Sequence, residues 1–230
     1  MVFAAGLGTR MRPITDTMPK PLVRIDGKTM LDHMLDRLAE AHIPRAIVNV
    51  HYHGAQIVDH LRGRKNPQIV ISDETDKLLD QGGGIKKVLP LLGPAPFFIC
   101  NTDAVWLERR PAMPAMIAQW RPQDMDILLL VADRVGSVGV DWPGDFHMDD
   151  AGRLTKRRDN ETSDFVYAGV GIVKPQLFAH VEEDVFKLAP FFFEAARSGR
   201  LHGCRLDGLW LHVGAPQAIA DAERAIARAR

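Results

Sequence analysis

The chain has 230 residues, and 29 Lys+Arg balance 29 Asp+Glu, so the formal net charge is zero. Zero charge argues against a protein that coats duplex nucleic acid, which needs a strongly basic face. The longest apolar runs, such as Ile127 to Ala132, are strand-sized and fall far short of the ~18 residues of a membrane helix. Cys100 and Cys204 are far apart with no CxxC, which argues against a disulfide framework or a structural zinc site. An ordinary globular composition, with no leader read at the start, points to a cytoplasmic chain forming one domain over residues 1–230.

In chain order, short continuous apolar runs at residues 1–5, 46–50, 68–72, 97–100 and 127–132 read as buried strands. The first begins at Met1 itself, so a natural N-terminus a few residues longer is expected. Between the strands lie helical stripes: Met30, Leu31, Met34, Leu35 and Leu38; then Ile57, Val58 and Leu61; then Ile85, Val88, Leu89 and Leu92. Such alternation predicts βαβ units and a mostly parallel sheet with helices on both faces. Residues 134–164 break the rhythm and read as a variable insertion, a hairpin lid of short strands and turns. A strand follows at 165–173, a helix near 187–197, a short strand near 209–213 and an Ala-rich helix from about 216 to 229.

The first strand leads into Ala4-Ala5-Gly6-Leu7-Gly8-Thr9-Arg10-Met11-Arg12-Pro13. Glycines let a backbone approach a ligand and turn its N–H groups inward, which suits phosphate. Arg10 and Arg12 add fork-shaped donors that match phosphate oxygens. In Pro19-Lys20-Pro21-Leu22 the prolines stiffen the chain on both sides of Lys20 and aim its charge. Residues 1–24 hold four basic residues (Arg10, Arg12, Lys20, Arg24) against one acidic (Asp16), so a local cation surplus sits on this loop. A Rossmann fingerprint fails because Met11 stands where the third glycine belongs. Gly27-Lys28-Thr29 imitates a Walker A ending, but Leu22 stands where that loop needs glycine, and Asp26-Gly27 is better read as a turn.

Taken together, Ala4 to Pro13 with Pro19 to Leu22 resembles the sugar-1-phosphate nucleotidyltransferase family. That resemblance implies an α/β, Rossmann-like three-layer α/β/α sandwich with a mixed, mostly parallel sheet. It also implies a reaction in which a sugar 1-phosphate attacks the α-phosphorus of a nucleoside triphosphate and pyrophosphate leaves. It implies that Ala4, Ala5, Gly6, Leu7, Gly8 and Thr9 hold the triphosphate, that Arg10 steadies the pyrophosphate and that Lys20 contacts the reacting phosphates.

The run Phe97 to Asp103 is a buried strand ending in a carboxylate. Ligands of open α/β sheets gather at such strand ends, and Mg²⁺ prefers carboxylate, water and phosphate oxygens. The alternative for Asp103 is a helix cap or turn; the resemblance implies a metal ligand. The family's second metal aspartate is expected inside Trp210-Leu211-His212-Val213-Gly214-Ala215-Pro216, and His212 stands in its place. Three readings stay open. His212 binds a softer ion such as Mn²⁺ or a metal-bound water, Asp103 and phosphates hold Mg²⁺ without it, or the site is impaired.

Gln81-Gly82-Gly83-Gly84 reads as a turn between strand and helix, either a connector or a close approach to a flat ligand. The resemblance implies nucleobase contact there, with Asn101 at the mouth of the same pocket, and a sugar pocket formed by Asn101, Tyr167, Gly169 and Lys187. These segments look most like the bacterial N-acetylmuramate-1-phosphate uridylyltransferases of cell-wall recycling. A mannose-1-phosphate guanylyltransferase or another NDP-sugar synthase is the rival, and a degenerate nucleotide-binding regulator is the rival of another class. Lys156-Arg157-Arg158 reads as a solvated face or as a contact to a phosphate or carboxylate, and His51-x-His53 as a helix start. The partners are small molecules, with no nucleic acid and no membrane, and the chain is expected to be a monomer or a small homo-oligomer.

Overall fold

The computed structural model describes residues 1–229. Strand β1 (Val2–Phe3) is shorter than its apolar run, because the chain leaves the sheet at the glycine loop. Strands β2 (Arg24–Ile25) and β3 (Lys28–Thr29) form a hairpin about Asp26-Gly27, as the turn reading expects. Helix α1 (Met30–Glu40) starts where Thr29 Oγ1 accepts the Asp32 N–H, a side-chain cap for an otherwise unpaired donor. Its stripe Met30, Leu31, Met34, Leu35 and Leu38 is buried, and each such side chain contributes about 1.5–3 kcal/mol.

There follow β4 (Arg45–Val50), α2 (Gly54–Leu61), β5 (Gln68–Asp73), α3 (Asp80–Leu92), β6 (Phe97–Asn101), β7 (Ala104–Glu108), α4 (Ala112–Gln119) and β8 (Ile127–Asp133). The rest is β9 (Phe146–Met148), β10 (Leu154–Lys156), β11 (Phe165–Val173), α5 (Ala189–Arg197), β12 (Leu201–Arg205), β13 (Gly208–His212) and α6 (Pro216–Ala229). The central sheet runs β12-β8-β11-β6-β1-β4-β5. Strands β6, β1, β4 and β5 pair in parallel, as do β8 and β12, while β11 is antiparallel to both its long neighbours.

Adjacent residues along the strands feed opposite faces, as the pleat requires. Val48, Cys100, Leu128 and Leu130 pack with α1, whereas Ile47, Ile99, Leu129 and Val131 pack with Ile85 of α3 and Phe192 of α5. Helices therefore cover both faces, which gives the expected three layers. A third cluster gathers Met11, Ile25, Leu211 and Ile226 beneath α6.

Several features refine or go beyond the sequence expectation, among them the unmarked α4 and β12. The insertion contains the expected hairpin, β9–β10, tied into the sheet by pairing of β9 with β11, with Phe146 and Leu154 buried in the core. Strand β7 and its antiparallel partner β13 form a separate ribbon beside the sheet. The triple glycine lies inside the first turns of α3 rather than in a turn before it. Among the described residues no helix is long and apolar enough to cross a membrane.

Candidate active site

Two cavities open side by side at the carboxyl ends of the parallel strands. The first, about 540 Å³, is lined by every residue from Phe3 to Met11, by Lys20 and by the start of α3. The second, about 600 Å³, lies over β11 and beside β9, β10 and α5. Arg10, Gln81, Asn101 and Asp103 line both. A ligand in one cavity therefore meets a ligand in the other across these four side chains.

Local structure explains the placement. Gly8 takes the left-handed conformation at φ 63°, the Met11 N–H donates to its carbonyl, and the chain tightens into a short 3₁₀ turn carrying Arg10. A further 3₁₀ turn, Lys20–Leu22, follows Pro19, and from it the Lys20 ammonium reaches Asp103 Oδ2 at 2.9 Å. Asp103 lies two residues past the end of β6, between it and β7. Burial presses its carboxyl upward, but the charge and hydrogen bond of Lys20 pull it below its ordinary 3.8, so it is ionised.

The β7–β13 ribbon pairs His212 with Ala104, and the Val213 N–H donates to the Asp103 carbonyl at 2.9 Å. His212 is thus locked beside Asp103, with its ring stacked on Trp210 at 5.6 Å. Burial lowers its pKa, with Asp103 opposing, so the imidazole favours the neutral form. Asp207, in contrast, faces Arg109 and Arg110 and stands away from the site.

Among the described residues no group of three or more His, Cys, Asp and Glu could hold a metal ion. The donor set here is one ionised carboxylate beside a phosphate-type loop. That chemistry suits a hard ion that takes most of its ligands from water and substrate phosphates, and does not suit an all-protein cage.

The second cavity contains Tyr167 and Gly169 as expected. The Tyr167 hydroxyl is buried without a hydrogen-bond partner, so the wall of this cavity holds an unmet donor. Asp145 accepts the Tyr167 N–H at 2.8 Å and the Trp142 indole N–H at 3.2 Å, and burial pushes its carboxyl up. Lys156 lies over the Phe193 ring at 4.3 Å, and Arg157 is held by the Gly144 carbonyl; both side chains line the cavity.

Some expected residues stand elsewhere. Lys187 is exposed and lines neither cavity; its neighbour Phe186 turns inward instead. Gly82 and Gly83 also line neither cavity, because the segment 184–186 covers them. A Cβ on Gly82 would lie 2.3 Å from the Phe186 ring, and one on Gly83 would lie 2.0 Å from the Asp184 carbonyl. Their close approach is to residues 184–186 of this chain. Gln81 does face both cavities and donates to Asn101 Oδ1 at 2.8 Å. His53 stands at the start of α2, as the helix-start reading expects, without a side-chain bond that caps it. Trp142, Asp145, Asn49 and Glu74, unmarked by any motif, complete the walls.

Comparison with known proteins agrees with this geometry. Residues 1–205 match the MobA-like NTP transferase domain. The chain is 44% identical over 234 residues to an N-acetylmuramate alpha-1-phosphate uridylyltransferase of Caulobacter vibrioides, covering 100% of this chain and 97% of that one. It is 33% identical to the enzyme of the same description from Neisseria meningitidis serogroup B, over 97% and 96% of the two chains. The crystal structure of HddC from Yersinia pseudotuberculosis complexed with GMP-PN shares the fold with a TM-score of 0.75, at 19% identity over 98% and 97% of the chains. The chain belongs to the MobA-like NTP transferase family, within its sugar-1-phosphate nucleotidyltransferases.

Proposed function

We propose that this enzyme joins UTP to N-acetylmuramate 1-phosphate, giving UDP-N-acetylmuramate and pyrophosphate. The observation that carries the reading is the pair of cavities meeting at Arg10, Gln81, Asn101 and Asp103. The choice of base and sugar is supported by the descriptions of the relatives at 44% and 33% identity.

In this mechanism UTP lies in the first cavity with its phosphates along residues 4–10. The sugar phosphate lies in the second, against Asn101, Tyr167 and Gly169. An oxygen of the sugar phosphate forms a bond to the α-phosphorus, and the bond from that phosphorus to the β-phosphate's bridging oxygen breaks. No covalent enzyme intermediate is needed, so rate comes from positioning and charge neutralisation. Lys20 neutralises charge at the reacting phosphate, and Arg10 steadies the leaving pyrophosphate. Asp103 would hold Mg²⁺, which supplies further neutralisation of the phosphates when bound, and the neutral His212 makes Mn²⁺ a competent substitute. A recycling role for the product in cell-wall synthesis, in the cytoplasm, follows from that substrate.

A pyrophosphate-release assay tests the reading by crossing UTP, GTP, CTP and dTTP with a panel of sugar 1-phosphates. UTP with N-acetylmuramate 1-phosphate is expected to give the highest kcat/KM, at least about tenfold above other pairs, or ~1.4 kcal/mol in transition-state binding. Preference for GTP with mannose 1-phosphate would replace the substrate assignment. Nucleotide binding with no release from any pair would support a regulator instead.

A further inference from the structure

Gly84, the third glycine of the run, lines neither cavity. A Cβ there would lie 2.9 Å from Glu74 Oε1 and 3.2 Å from Asn49 Nδ2. Both neighbours are buried, Glu74 at 2% exposure and Asn49 at 3%. The glycine thus makes room for a polar pair in the core, where polar groups are costly unless they are hydrogen-bonded.

The pair is bonded in a directed chain. Asn49 Oδ1 accepts the Ala4 N–H at 2.8 Å. Asn49 Nδ2 donates to Glu74 Oε1 at 2.8 Å, and Glu74 Oε2 accepts the Leu79 N–H at 3.2 Å. These donors to the carboxylate are neutral, so the arrangement is no ion-pair staple. Ala4 opens the glycine loop, and Leu79 immediately precedes α3, whose first turn presents Gln81 to both cavities. The chain of bonds therefore runs from one wall of the first cavity to the other, and both Asn49 and Glu74 form part of its lining.

We propose that Asn49 and Glu74 are positioning residues for the nucleoside triphosphate, a buried strut that fixes the gap between the glycine loop and the start of α3. The strut does not touch the second cavity. Its loss weakens nucleotide binding and leaves sugar-phosphate binding in place. A carboxylate is the right group, because both its oxygens must accept. An amide of the same shape turns an N–H₂ toward a donor and breaks one link.

This inference rests on the nucleotide occupying the first cavity. The test is UTP affinity by calorimetry, with KM for both substrates, in the full-length wild type, Glu74→Gln and Asn49→Ala. The expected result is a rise of about tenfold or more in Kd and KM for UTP in each variant, with KM for the sugar phosphate changed less than about twofold. Thermal melts confirm folding, and a variant that does not fold leaves the other to decide. Equal shifts for both substrates, or no shift for UTP, overturn the strut while leaving the proposed function standing. A wild type that binds no nucleoside triphosphate overturns both.

Discussion

Lys20 and Asp103 hold each other at 2.9 Å with side-chain exposures of 14% and 24%, so each charge is partly shielded from water and has the other as its partner. In the proposed mechanism a triphosphate entering the first cavity would bring negative charge to the lysine and leave the carboxylate available to a cation. Removing either member costs twice: the reaction loses a preorganised charge, and the partner is left half-buried without its counter-ion. Lys20→Ala and Asp103→Asn should each lower kcat/KM by about 100-fold or more, with the fold intact by circular dichroism. Near-wild-type turnover in both would sink the roles assigned to them. The cation at Arg10 cannot substitute, because it is exposed and shared between both cavities.

At the scale of elements, the glycines divide into two kinds that substitution can separate. A Cβ on Gly6 meets nothing within 4 Å although the residue lines the first cavity, so no packing within the protein requires glycine there. A Cβ on Gly82 or Gly83 collides with residues 184–186. Gly6→Ala should melt like the wild type and bind nucleotide more weakly. Gly82→Ala and Gly83→Ala should lose about 1–3 kcal/mol from overpacking and melt lower. The reverse pattern in thermal melts and nucleotide titration would refute this division. The glycine loop was legible in the sequence because its spacing and cations express one local function, and Asp103 because a buried strand ends there. The triple glycine was not, since each glycine costs about 1 kcal/mol against alanine in a helix and locally favours a turn. Burial beneath segment 184–186 overrides that preference. Strand β7 was hidden because the sequence marks the end of β6 but not the ribbon partner, β13, more than a hundred residues later. Lys187 stands outside both cavities, because the inward side chain of its segment is Phe186, which packs on α3.

For the whole molecule, buried titratable groups set a pH profile whose sign can be worked out. Burial lowers the imidazoles of His202 and His212 below 6.5, so the unfolded chain takes up protons that the fold resists. Their contribution is complete above pH 6.5 and is lost as pH falls from there through their folded values. Burial raises Asp36, Asp103 and Asp126, but their cation partners override it and hold all three below 3.8. Their contribution is complete above pH 3.8 and is lost as pH falls through the lower folded values. Asp145 has the opposite sign, since burial raises it and folding favours its protonated form. Hydrogen bonds from Thr75 also lower Asp73, so the lowered carboxylates outnumber the raised one and acid destabilises the fold. Thermal melts from about pH 3 to about pH 8 should show a slope from the buried Met1 amine below 8.0, a first imidazole decline below 6.5 and a steeper carboxylate decline below 3.8. His202 lies in β12, away from both cavities, at 4% exposure with Nδ1 unpaired. His202→Gln should therefore reduce the first decline and leave the second, without altering substrate binding. A melting temperature constant from neutral pH to pH 4, or a His202→Gln profile identical to the wild type, would show that the buried imidazole does not set the first decline.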